Sequence, residues 1–509
     1  MMLRQKINKI KRRSYKLFNK LFIYLPVDIL IYLRNFLRGV FNPRHYESDE
    51  SNKSSTSAPL KKTEKRLIIF RHDGIGDYVM FRNFLEILKK SPKFAGYKIT
   101  LLGNAAWKDL AEFLDKDYID EFIWLDKKKF TANFFYRYKK FKEITSVKYD
   151  VLIHPFSREF FNADNDLAFL IKADKKIGSI RIPRFTKPYK TKILEKIYNE
   201  LIPDEENVRF EFYKNKIFFE KLLHETAPQT INAGINSGIN LNRPFINLPP
   251  YSLPLYSACP SGAVNSSVSA LSDVADLKSK LCISSPYAAF FIGASVKHRK
   301  WPPSYFAETA NYLNTKYGFN IVLCGGKSEL NDAAEFKKHF PTNLADKSFF
   351  TDAVGKISLI DLLYIIKDAS LVISNETMAP HIAMALANAY ADKDDTSNFT
   401  QAHTSKYSSV KPSVELPAKQ PAKPSVKPAV IVISTGEASY GHFVPYPEEI
   451  GGNSNYSAVF HPYIEKNLEE YIDITAKFGR GYDDRFDISE ITVKSVLDKI
   501  DEKLASVST

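Results

Sequence analysis

Apolar and polar positions fall into alternating blocks along most of the chain. Residues 66–70 (RLIIF) form a short apolar run of the kind expected of a strand covered on both faces. A polar, glycine-bearing turn follows, then a helical run over 78–90. Further strands are predicted at 98–102, 122–125 and 150–154, with helical stretches between them, and the alternation stops after about Leu223. A second set begins at Tyr287. It reads as strand 288–292, helix 304–317, strand 320–323 and helix 328–339. Ser358 with Asp361 three residues on is a capping-box-like start to a helix ending near 367. Strand 371–374, helix 380–388, strand 429–433 and a closing amphipathic helix at about 488–504 complete the set. Strands that alternate with helices imply an α/β protein with parallel sheets covered on both faces.

Three stretches lie outside this pattern. Residues 226–284 are rich in Asn, Ser, Gly and Pro without a helical period, as in a linker or insertion. Residues 390–428, including KPSVELPAKQPAKPSVKP, interrupt the second set between a helix and the next strand, where loop entropy tolerates added length. The third is the N-terminus. The division is therefore 1–62, arm and linker; 63–225, first domain; 226–284, linker or insertion; 285–389, first part of the second domain; 390–428, insertion; 429–509, the remainder with its final helix.

At 509 residues the chain is too long for one core. Its 44% hydrophobic and 26% charged content is that of a globular protein. The net charge of +14 is uneven: Met1 to His45 holds eleven Lys or Arg against the single acid Asp28. Here Arg4, Lys6, Lys9, Lys11, Arg12, Arg13 and Lys16 stand beside Phe18, Leu21, Phe22, Tyr24, Ile29, Leu30, Tyr32 and Phe36. Lys20, Pro26, Asp28 and Arg34 interrupt the apolar stretch, so it fits neither a membrane span nor a signal peptide. It fits an interfacial segment on anionic lipid, weighed against a solvated basic tail or an RNA-binding arm. The RNA reading lacks aromatic residues on basic strands, so no nucleic-acid partner is expected. Cys259, Cys282 and Cys324 make neither a metal motif nor a disulfide framework, which suits a reducing cytoplasm.

Four turns carry candidate chemistry. In RHDGIGD, Arg71–Asp77, Gly74 and Gly76 permit a tight turn and close approach by a ligand, and Asp77 opens the helix at the sheet's carboxyl edge. Asp77 is either a functional carboxylate or simply the N-cap. Val79 breaks the dinucleotide fingerprint, which argues against a NAD dehydrogenase. In GASVKHRKWP, Gly293–Pro302, Arg299 and Lys300 stand where cations can join helix-start amides around a phosphate, whereas Trp301 reads as core packing. In CGGKSE, Glu329 either bonds ribose hydroxyls or favours the helix dipole. In SNETMAPHIAMAL, Glu376, Thr377 and His381 again fall at a strand's carboxyl end, with a satisfied histidine as the plain alternative for His381. Asp115/Asp117 and Asp164/Asp166 have the D-x-D form of metal-dependent transferases but read as surface pairs.

Taken in order, IGD (Ile75–Asp77), GAS…RKWP (Gly293–Pro302), GG…E (Gly325–Glu329), KISLIDLLYIIKDASLVISNET (Lys356–Thr377) and HIAMAL (His381–Leu386) resemble glycosyltransferase family 9, the ADP-heptose:lipopolysaccharide heptosyltransferases. The similar segments cover about 65–213 and 287–446. The resemblance implies the GT-B fold, two facing Rossmann-like domains with parallel sheets, here with a basic N-terminal arm and low-complexity insertions. It implies an acceptor-side N-terminal half and a C-terminal half holding a nucleotide-diphosphate sugar, ADP-heptose by family default. Asp77 would be the base for an inverting transfer to a lipopolysaccharide-core or other lipid-linked saccharide. Arg299 or Lys300 would neutralise the departing diphosphate. Ser295 falls near the phosphates, Glu329 matches an acid at the nucleoside, and Glu376, Thr377 and His381 match the donor turn. No metal or cofactor is implied. The location expected is cytoplasmic, peripheral at the inner face of the cytoplasmic membrane. One departure stands out: Glu376-Thr377-Met378 replaces the family's usual Asp-Ser/Thr-Gly, reshaping the pocket beside the sugar. Met378 also motivates the competing expectation, a non-catalytic membrane-peripheral module that binds nucleotide-sugar or saccharide.

Overall fold

The computed structural model describes residues 64–155, 163–180, 188–205, 208–223, 244–248, 281, 283–340, 349–389, 428–437, 439–450, 455–468 and 486–508, with a few helical positions between 25 and 33. Most of the arm, the 226–284 stretch and the 390–428 insertion, with Cys259 and Cys282, lie outside the described residues. The chain divides into two compact units, Met1–Val208 with Tyr213–Asn236, and Arg209–Phe212 with Ser237–Thr509.

The first unit is built on β1 (Arg66–Arg71), β2 (Lys98–Asn104), β3 (Glu121–Leu125), β4 (Lys148–His154), β5 (Lys172–Ile180) and β6 (Glu200–Pro203). All its neighbouring strands are parallel, in the order β3-β2-β1-β4-β5-β6. The register sets Phe70 beside Leu102 and Ile69 beside Ile153, so the central strands bury side chains on both faces. Ile68, Phe70, Leu102 and Leu152 form one core with Phe130 and Phe141 from the flanking helices.

The pattern missed β5 and β6. The sequence of β5, KADKKIGSI, carries three lysines, and its N-terminal half is partly exposed, so no apolar run betrays it. Lys176 is accommodated by folding back on helix Ala163–Leu170, where its Nζ donates to the carbonyls of Ala168 (2.7 Å) and Phe169 (2.9 Å). A cation there satisfies orphan carbonyls at a helix C-terminus. Burial pushes the lysine down to about 8.

The second unit repeats the plan with β7 (Tyr287–Phe291), β8 (Asn320–Cys324), β9 (Phe350–Asp352), β10 (Leu371–Asn375), β11 (Ala429–Ser434) and β12 (Tyr456–Phe460). Its order β9-β8-β7-β10-β11-β12 is again all parallel. In both sheets the topology reverses between the first and fourth strands, and open α/β sheets bind ligands at the carboxyl ends beside that reversal. Ser358 caps helix Leu359–Asp368 by accepting from the Asp361 amide, with Asp361 reciprocating, as the capping box requires. The last helix, Val493–Ser508, packs Val496 and Ile500 onto the core around Phe290, Phe306 and Phe336. Among the described residues no helix is long and apolar enough to cross a membrane.

Candidate active site

In the first unit, β1 runs directly into the turn that carries Asp77. Helix Ile75–Val79 is a short first segment, separated by a turn from Asn83–Lys90, so the single helix read over 78–90 is two. Asp77 is the third residue of that helix rather than its N-cap. Its Oδ2 reaches back to accept from the Gly74 amide at 3.1 Å. Neither glycine supplies the positive φ expected of a tight turn: Gly74 is extended at φ −76° and Gly76 is helical. Gly74 instead makes room, since a Cβ there would lie 3.2 Å from the Asp77 carboxylate.

A buried network that the sequence reading did not name holds this turn. Arg71 Nε donates to Asp73 Oδ2 (2.8 Å) and its Nη1 to Asn215 (2.6 Å). Asn104 Nδ2 and Trp107 Nε1 both donate to the Asp73 carbonyl, at 2.9 and 3.1 Å. Tyr78 stacks on Trp107 and donates to Asp115, which also pairs with Arg82 at 2.7 Å. The surface reading of Asp115 is thus overturned: it is 0% exposed, whereas Asp117 is exposed. Burial raises the Asp115 carboxyl, and Arg82 counteracts it. Asp164 and Asp166 fall within helix Ala163–Leu170. Across the reversal from β1, buried His154 ends β4, with its Nδ1 2.6 Å from the Tyr198 hydroxyl.

In the second unit the loop after β7 and the turn after β10 meet across the reversal point. Asn375 joins them. Its Nδ2 donates to the Ile292 carbonyl (2.8 Å), and its Oδ1 accepts from the Trp301 amide (2.9 Å). Trp301 is fully buried and donates through Nε1 to the Ile491 carbonyl, so it packs as its sequence context suggests. With both ends of the loop tied, the one-turn 3-10 helix Lys297–Arg299 presents Arg299 toward Glu376, Nη1 to Oε1 3.0 Å. Lys300 turns the other way and pairs with Asp332 at 2.5 Å. Ser295 is exposed on the same loop.

Glu376 is 5% exposed, and its second oxygen accepts from Ser434 Oγ and Ser439 Oγ, both at 2.6 Å. Ser434 ends β11 and Ser439 follows it, and the sequence reading missed both. The visible signal was the hydroxyl-rich STGEAS at the end of a strand. Thr377 is partly buried, with its hydroxyl 3.1 Å from Ser374 Oγ. His381, on the helix at 378–389, is buried against the Tyr446 hydroxyl at 3.0 Å. Burial lowers its pKa to about 4, so it is neutral near pH 7. Glu329 accepts from the Gly326 amide (2.8 Å) and from Ser328, capping its own 3-10 turn. Its side chain lies over Gly293, where a Cβ would come within 2.6 Å of the Glu329 Cγ. Arg299 and Glu376 are thus brought together, Glu329 lies over the start of the Arg299 loop, and Lys300 is directed to another partner.

Two parallel six-stranded Rossmann-like units, with their candidate residues on carboxyl-edge loops, give the chain a GT-B-like fold. Two solved structures share the fold. A glycosyl transferase family 9 protein from Veillonella parvula has TM-score 0.51 and 15% identity, over 87% of this chain and 98% of that one. The ADP-heptose lps heptosyltransferase II of E. coli has TM-score 0.50 and 14% identity, over 87% and 100%. No curated protein matches by sequence. The family model described as glycosyltransferase family 9 (heptosyltransferase) matches residues 251–390. The matched segment, about a quarter of the chain, contains Arg299, Glu376 and His381 and carries the similarity to family 9.

Proposed function

We propose that the protein is an inverting glycosyltransferase. It moves a sugar, heptose by the family's default, from a nucleotide-diphosphate donor to a lipopolysaccharide-core or other lipid-linked saccharide. The observation that carries this reading is Arg299, tied to Glu376 across the β7/β10 reversal, where an open α/β sheet receives its ligand. A guanidinium there suits a diphosphate because its planar donor fork matches phosphate oxygens. The family 9 match over residues 251–390 supports the donor class.

In the proposed reaction Asp77 accepts the proton of the acceptor hydroxyl. That oxygen bonds to the anomeric carbon from the face opposite the leaving group. The bond from the anomeric carbon to the phosphate oxygen breaks, and its electron pair departs on the diphosphate, whose charge Arg299 neutralises. Lys300, Ser295 and Thr377 are kept as further donor-side residues and Glu329 as the nucleoside-side acid. Neutral His381 would shape the donor turn from beneath. The arm would hold the enzyme at the inner face of an anionic membrane. Helical positions Leu25, Ile29, Leu30 and Leu33 support this, each nearly half exposed at spacings that share one face.

The test is a donor screen of ADP-heptose against UDP- and GDP-sugars, with product detection on a truncated lipid-saccharide acceptor. Transfer from one donor class, with inverted configuration in the product, is expected. Absence of both donor-induced thermal stabilisation and product across the screen would sink the reading in favour of a non-catalytic module.

A further inference from the structure

We propose that Glu376, locked by Ser434 and Ser439, is a positioning residue that presets Arg299 for the donor diphosphate and does not itself contact the sugar. This rests on the role given above to Arg299. Three separate segments converge on one carboxylate: the loop after β7 brings Arg299, the turn after β10 brings Glu376, and the end of β11 with the loop that follows it brings Ser434 and Ser439.

The geometry leaves the carboxylate little freedom. Oε1 is engaged by the guanidinium at 3.0 Å, and Oε2 accepts two hydroxyl donors at 2.6 Å. The Glu376 amide is also held, donating to the Ile433 carbonyl at 3.1 Å. Turning toward a sugar hydroxyl would break charge-assisted bonds in a buried setting, where such bonds are strong. Ser434 is fixed in turn, because its Oγ accepts from the Gly436 amide at 2.9 Å. Gly436 takes φ +75°, a left-handed turn that returns the chain so that Ser439 reaches the same oxygen. Among the described residues the buried Tyr456 hydroxyl has no hydrogen-bond partner, and Glu376 contributes to the electrostatic field around it. The longer acid at this position therefore has a structural reason: aspartate, one methylene shorter, would not span from the β10 turn to both serines and Arg299 at once. An arginine held in place before the ligand arrives loses less freedom on binding.

The experiment is calorimetric titration of the full-length protein with ADP, UDP and GDP, and with the nucleoside of whichever diphosphate binds. Four proteins are compared: wild type, Ser434→Ala/Ser439→Ala, Arg299→Ala and the combination of all three changes. The serine pair should weaken diphosphate binding roughly tenfold, the scale of one charge-assisted hydrogen bond, and leave nucleoside binding unchanged. In the Arg299→Ala background the serine changes should cost nothing further, since they act through Arg299. An equal loss in both backgrounds, an equal loss for the nucleoside, or no loss overturns the inference. Glu376→Asp gives a second test should the serine variant fold poorly, with the same selective loss expected and its absence counting against the idea. Failure of the wild type to bind any of the diphosphates would instead remove the functional reading beneath it.

Discussion

Asp77 can be tested so that its structural and chemical roles separate. Its carboxylate accepts one hydrogen bond, from the Gly74 amide at 3.1 Å, at the start of a five-residue helix. Asparagine keeps that acceptor and is as good near a helix start as aspartate, so Asp77→Asn should change stability by no more than about 0.5 kcal/mol. Asparagine cannot take up a proton under turnover conditions. Loss of a general base costs about 100- to 10,000-fold in rate. Asp77→Ala removes both functions and should lower stability by about 1 kcal/mol, the net worth of one such bond, with a melting shift of about 2–4 °C for a domain of this size. The assays are thermal unfolding of the three proteins and initial-rate transfer from the best donor under matched conditions. Donor affinity should be similar in all three. If Asp77→Asn retains turnover within tenfold of wild type, the carboxylate is only a cap and the proposed mechanism fails.

Three further outcomes are expected. Arg82→Met leaves the Asp115 carboxylate buried without its ion-pair partner and should cost about 3–5 kcal/mol in chemical denaturation. Cooperative unfolding at the wild-type midpoint would contradict that account of the pair. For His381, the folded pKa of about 4 lies below the ordinary 6.5. Its neutral burial therefore contributes stability present above pH 6.5 and lost as pH falls through 4, worth roughly 3 kcal/mol. His381→Gln should flatten the denaturant-midpoint profile between pH 7 and 4, and an unchanged acid slope would show that other groups set it. Ile29→Glu/Leu33→Glu should reduce co-sedimentation with anionic phospholipid vesicles at least tenfold on the scale of lost apolar burial, while soluble-acceptor turnover stays constant. Equal sedimentation of wild type and variant would place membrane contact elsewhere.

The parts legible in sequence were those in which local pattern and tertiary environment agree. β1, β7, β10 and β11 are nearly uninterrupted apolar runs because both faces are covered, and Ser358 with Asp361 announced its helix through purely local bonds. β5 was hidden by lysines that the strand tolerates at its partly exposed end and by Lys176 capping a helix. Asp115 looked like surface because a D-x-D spacing carries no information about Arg82, which lies 33 residues away in sequence. The candidate residues Asp77, Arg299 and Glu376 could be named from their turns. The partners of Glu376 could not, because Ser434 and Ser439 stand 58 and 63 residues downstream, beyond the second low-complexity stretch.

That stretch gives the β11 pairing an energetic consequence. Docking β11 beside β10 closes a loop of roughly forty residues, which costs about 2 kcal/mol more than a four-residue connection would. The serines come home only once that closure is complete. A chain with its final strands undocked could still form the earlier sheet around β7 and β8, yet its arginine would lack the clasp that aims it. On the proposed reading, the clasp on Arg299 is thereby deferred until β11 and the loop that follows it are in place.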